Sequence, residues 1–301
     1  MSEITYNGVE LLPAVNVPVP EGLRDVVIPS ELEVTYITAL HSGKKDFDPA
    51  GRNLVKSADA VFHEEFAWSS AAHRVINTLA NGTARSPASF TNDKNSYGWQ
   101  RLGAIQNTKV PQFFWDASDK EAAEHNLPEL LNAYRRFYLE AEQFMRAKEP
   151  ETALDMMARA SILLAAYGAE RDGLGVTRIA EIVNERRDTI KSIVVFAGTA
   201  HIYQAIHLAQ LRDDSTEPRP IKITSMLEDP FADHVTHHGE ARNGNPNGNL
   251  LVKSWLFNQM TVDLRGKQPY RSATAISNEL NKVVKAMSDD EAFTKLTSYY
   301  T

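Results

Sequence analysis

Three polar positions in this chain stand where a parallel sheet would gather a ligand: His41, the Glu64-Glu65 pair and His201, each just beyond a run with strand character. Two histidines and a carboxylate offer two nitrogen donors and one oxygen donor, enough to hold a catalytic divalent ion with an open coordination position. In that arrangement His41, Glu65 and His201 are the metal-ligand candidates. The same trio without a metal suits general acid–base work, an ionised glutamate holding one histidine tautomer. Strand alternation sends Glu64 and Glu65 to opposite faces, so they do not share a role, and which of them faces the site stays open. A metal ligand or general base must present a nitrogen lone pair, so His201 is expected to be neutral at pH 7 and activity to fall on acidification.

These residues need elements to position them. Ile193-Val194-Val195-Phe196 is the clearest buried strand in the chain, four apolar residues rich in β-branched types, and it runs through Gly198-Thr199-Ala200 to His201. Val34 to Leu40 has the same character and ends at His41; Ala58 to Glu65 is a shorter strand ending in the two acids. Between these two, Asp48-Pro49 starts a short helix through Leu54 and Val55, so 33–65 reads as a β-α-β crossover. Strands at 34–40, 58–65 and 193–198 are expected to be parallel neighbours whose ends face one cleft, where open α/β sheets bind ligands. His63 lies on the opposite strand face from Glu64 and is expected to pack.

Elsewhere, residues 1–30 carry four prolines and read as an extended arm, residues 69–80 as a helix, and 82–98 as a long polar loop. Residues 110–116 form a possible strand weakened by Pro111, with Phe113-Phe114-Trp115 as core or pocket lining. Apolar residues at helical spacing from Leu130 to Met145 and from Leu154 to Leu164 predict two helices meeting near Pro150, an insertion over 119–168. A separate helix is expected over 177–190, a strand over 221–226, and three short helices from 250 to 300. His234, His237 and His238 could bind metal, although their glycine- and asparagine-rich neighbourhood favours a solvated turn. The whole predicts a single α/β domain, 1–301, with a mostly parallel sheet.

Composition narrows the function classes. The 301 residues include 32 basic and 39 acidic side chains, a formal charge of −7, which argues against a nucleic-acid footprint. With no cysteine, thiolate metal sites, disulfides and a cysteine nucleophile are excluded. No basic-plus-apolar leader opens the chain and no run of about 18 apolar residues is present, so a cytoplasmic protein without a membrane span is expected. Phosphate-loop, GxGxxG, HExxH and GxSxG motifs are all missing. Oligomeric state is left open.

The motif order resembles the Tiki/TraB superfamily and its erythromycin-esterase-like and haem-binding ChaN-like relatives. Thr38-Ala39-Leu40-His41 is similar to the first histidine motif of that group, and Ala58-Asp59-Ala60-Val61-Phe62-His63-Glu64-Glu65 to the segment bearing its active-site glutamate. Glu170-Arg171-Asp172 is similar to its arginine-bearing element, and Gly198-Thr199-Ala200-His201 to its second GxxH. Thr38 departs from the glycine usual in the first motif. The resemblance implies an α/β fold with helical insertions and, for the Tiki branch, a metal-dependent peptidase; other branches hydrolyse esters or bind haem. It places Arg171, otherwise a surface residue at a helix end, where it steadies a carboxylate or oxyanion. The expected function is therefore a metal-dependent hydrolase of a peptide or ester, with Glu64, Glu65, Arg171 and His201 as catalytic candidates. The alternative is a non-catalytic protein that binds haem or a peptide. Its substrate or ligand would be a peptide or small molecule.

Overall fold

The computed structural model describes residues 5–6, 9–10, 19–39, 49–65, 70–83, 105–198, 201–211, 222–225, 241, 244, 246, 248–268 and 273–300. His41, most of the polar loop over 82–98, and His234, His237 and His238 lie outside them. The strands are β1 (Thr5–Tyr6), β2 (Val9–Glu10), β3 (Glu33–Ala39), β4 (Ala60–His63), β5 (Gln112–Phe114), β6 (Ser192–Gly198) and β7 (Lys222–Ser225). The helices are α1 (Pro49–Ser57), α2 (Ser70–Ala80), α3 (Asp119–Glu124), α4 (Leu127–Arg146), α5 (Pro150–Glu185), α6 (Ile202–Gln210), α7 (Gly248–Lys267), α8 (Ala273–Ala286) and α9 (Asp289–Thr297).

The strands form one sheet in the order β2-β1-β7-β3-β6-β4-β5, parallel except for the β1–β2 pair. This is the α/β architecture expected from the sequence. Strand β6 lies between β3 and β4, with Val194 opposite Thr35 on one side and Val61 on the other. Ile193 to Ala197 are all buried, which is why that run is apolar at every position rather than alternating. Asp59 sets the start of β6: its Oδ2 accepts from the Lys191 and Ser192 amides and from Ser192 Oγ. One core cluster joins Ile37, Val61, Phe114, Val194 and Phe196 of the sheet to Val55 of α1 and Ile76 and Leu79 of α2.

The chain packs as two compact units. The first takes in Met1–Ala122 and Arg171–Met226 and holds the sheet; the second takes in Ala123–Glu170 and Leu227–Thr301. The core of the second is helical, built on Ala141, Met145, Met157, Leu251, Trp255, Leu256, Val284 and Leu296. Helices α4 and α5 meet where expected, before Pro150. Lys148 takes the left-handed conformation there (φ 63°), and the amides of Lys148 and Glu149 close onto the carbonyls of Met145 and Phe144. A capping box between Ser288 and Glu291 starts α9.

The break expected between about 168 and 177 does not occur: α5 is one helix of 36 residues. Gly173 and Gly175 lie inside it, and the second of these is there for close packing, as shown below.

Among the described residues no helix is long and apolar enough to cross a membrane.

Candidate functional site

The carboxyl ends of β4, β5 and β6 are tied together by one carbonyl. Phe196 O accepts from the Glu64 amide at 3.1 Å and from Trp115 Nε1 at 2.8 Å. The Trp115 amide in turn donates to His63 O at 3.1 Å. The residues just beyond these ends, Glu64, Asp116 and His201, are therefore held at one edge of the sheet, as strand-end chemistry in an α/β fold requires.

Helix α5 supplies the rest. Arg171, Gly175 and Arg178 recur at the i, i+4, i+7 spacing of one helical face, with Asp172 beside them. Arg171 Nε donates to Asp116 Oδ1 at 3.0 Å, and its Nη2 donates to Asp116 Oδ2 and, at 3.2 Å, to Glu64 Oε1. Arg178 donates to Asp116 O and to Glu121, whose carboxylate also accepts from Ser118.

His201 closes the cluster. Its Nδ1 lies 2.6 Å from Asp172 Oδ1 and its Nε2 lies 3.2 Å from Glu64 Oε1. The second Glu64 oxygen accepts the amide of Gly198. The Trp115 ring packs edge-to-face with the imidazole, with centroids 5.1 Å apart. Glu64, Asp116, Arg171, Asp172 and His201 are all buried.

The charge state of His201 corrects the expectation from sequence. Burial lowers its pKa, but the two facing carboxylates, Glu64 and then Asp172, outweigh burial and the nearby Arg171 and raise it to about 9. His201 is therefore an imidazolium at pH 7, not a neutral ring. Sequence reasoning missed this because neither Asp172 nor Glu64 is near His201 in the chain.

Of the sequence-derived candidates, Glu64, Arg171 and His201 come together, while Glu65 is exposed, and His41 lies outside the described residues. Arg171 is inside α5 rather than at a helix end. His63 packs as expected, stacked on Phe196 with its Nε2 2.7 Å from Gln112 Oε1. Asp116 was missed: it follows a three-residue strand behind Pro111 and carries no motif. Its one signal was its place after an apolar aromatic run.

Among the described residues, which do not include His41, the donor set does not complete a metal site. Among the described residues no group of three histidines or acids is arranged to hold an ion. Both His201 nitrogens face carboxylates, and the Glu64 oxygen nearest Nε2 already faces the Arg171 guanidinium. A haem iron would claim the same Nε2. Comparisons of this chain with protein-family models, with curated proteins and with solved structures find no match.

Proposed function

We propose that the chain is a hydrolase of an ester or peptide bond, with Glu64, His201 and Asp172 as its proton-transfer centre. One observation carries this reading: a buried histidine ring held between two carboxylates at the carboxyl ends of parallel strands. Asp172 fixes the ring by accepting from Nδ1, which aims Nε2 and its proton towards Glu64. Glu64 takes a proton from water as the water oxygen bonds to the acyl carbon. His201 gives its Nε2 proton to the leaving oxygen or nitrogen as the acyl bond breaks, and the proton on Glu64 then restores the imidazolium. Arg171, paired with both Glu64 and Asp116, steadies the Glu64 carboxylate in place for the first step.

The test is hydrolysis of p-nitrophenyl acetate by the protein, with and without prior dialysis against a chelator. General acid–base catalysis contributes about 10²–10⁴-fold, so His201→Gln is expected to lose at least about 10² of the parent rate. Asp172→Asn is expected to lose rate with little change in KM, because it misaligns the ring without touching substrate. Chelation is expected to leave the rate unchanged. A parent no faster than buffer, or a His201→Gln protein equal to it, defeats the reading.

A further inference from the structure

Tyr36, on β3, reaches under the site. Its hydroxyl oxygen lies 2.9 Å from the carbonyl oxygen of His201 and 2.9 Å from Oε1 of Gln204 on α6. A hydroxyl has one hydrogen, so it cannot donate fully to two acceptors. At the same time Gln204, fully buried, has an amide nitrogen with no hydrogen-bond partner among the described residues. An unpaired buried donor is costly. Turning the Gln204 amide by half a rotation, which exchanges two atoms of nearly equal size, removes the first defect and replaces the unpaired buried donor by a buried acceptor.

The neighbours favour the turned amide. Helix α5 approaches this side chain so closely that a Cβ on Gly175 would lie 2.2 Å from Gln204 Nε2 and 2.6 Å from Trp115 Cε3. A carbonyl oxygen set against a glycine Cα gains a weak C–H···O contact there, whereas an N–H has nothing to donate to.

We propose that Gln204 and Tyr36 are positioning residues for His201: the Gln204 amide donates to the Tyr36 hydroxyl, which donates to the His201 carbonyl. The relay holds the backbone of the residue that carries the imidazole. His201 is the N-cap of α6, and its side chain makes no capping hydrogen bond, its two ring nitrogens facing Asp172 and Glu64. Holding the carbonyl from below sets the direction in which the imidazole leaves the backbone. This inference stands on the geometry of His201 and does not depend on the hydrolase reading.

Solution NMR of protein labelled with ¹⁵N-histidine and ¹⁵N-glutamine tests it without a substrate. The Gln204 side-chain NH₂ signal, assigned by its loss in Gln204→Met, is expected to shift in Tyr36→Phe. The strongly deshielded His201 Nδ1 proton, assigned by its loss in Asp172→Asn, is expected to shift in both Tyr36→Phe and Gln204→Met. In the double variant it should move no further than in Tyr36→Phe alone, because the relay is already cut. Near-ultraviolet circular dichroism reports whether each isosteric variant keeps its packing. If Tyr36→Phe does not fold, Gln204→Met decides alone: a shifted Nδ1 proton supports the relay and an unmoved one overturns it. A Gln204 NH₂ signal indifferent to Tyr36→Phe, or additive shifts in the double variant, also overturns the proposal. These signals are readable in a protein that hydrolyses nothing, so the two readings fail separately.

Discussion

Asp172 stands 2.6 Å from Nδ1 of His201, both residues buried, and the opposite nitrogen of the same ring faces Glu64. An imidazole enclosed by two carboxylates is bound more tightly when charged than when neutral. The folded state therefore takes up a proton that the unfolded chain releases at a lower pH.

That difference makes stability depend on pH in one direction. The folded pKa of His201 is raised from 6.5 to about 9, so its contribution is fully present below about pH 6.5 and is lost as pH climbs through 9. The shift corresponds to something on the order of 3 kcal/mol. Urea denaturation of the parent and of His201→Gln, at pH 6 and at pH 9.5, checks this: the parent should lose more stability over the interval than the variant. Parallel losses would show that His201 is not charged in the fold.

Arg171 pairs with both Glu64 and Asp116, and all three are buried. Removing one partner of such a group leaves uncompensated buried charge, at a cost of about 3–5 kcal/mol. Arg171→Met is expected to lose that much in urea denaturation at pH 7. Arg171→Lys should fall between, since it keeps the charge but not the two-pronged geometry. A loss below about 1 kcal/mol in Arg171→Met would remove the residue from the cluster's energetics.

The parts of this architecture that could be read from sequence are those where a local pattern decides. β-Branched runs at 34–39 and 193–196 marked central parallel strands, and the two meet in register from Glu33 and Ser192 onward. Pro150 marked the start of a helix. What escaped was decided by packing at a distance. Glu64 and Glu65 are adjacent acids, and only the contacts of Glu64 with Arg171 and His201 and the exposure of Glu65 show which of them enters the site. Asp116 joins the site through the β4–β5 pairing, which leaves no motif, and Asp172, although part of the Glu170-Arg171-Asp172 element, meets His201 only through the run of α5. Tyr36 and Gln204 were silent for the same reason: their meeting depends on where α6 begins after β6. The helix expected to end near 168 runs on through Gly173 and Gly175, and a glycine in a helix can mark the place where its backbone must come close to a neighbour.

The last prediction separates those two glycines, which lie two residues apart in the same helix. Neither has a positive φ, so alanine is conformationally allowed at both. At Gly173 a Cβ would meet nothing within 4 Å, and Gly173→Ala is expected to raise stability by up to about 1 kcal/mol, the difference in helix propensity. At Gly175 the same methyl would sit 2.2 Å from Gln204 Nε2 and 2.6 Å from the Trp115 ring, two groups themselves enclosed by the core. Overpacking of this kind costs about 1–3 kcal/mol and should outweigh the propensity gain, so Gly175→Ala is expected to be destabilising. Thermal melts of the two variants beside the parent should therefore move in opposite directions. If both rise, α5 does not press on the Trp115–Gln204 pair, and the reason offered for glycine in the middle of this helix is wrong.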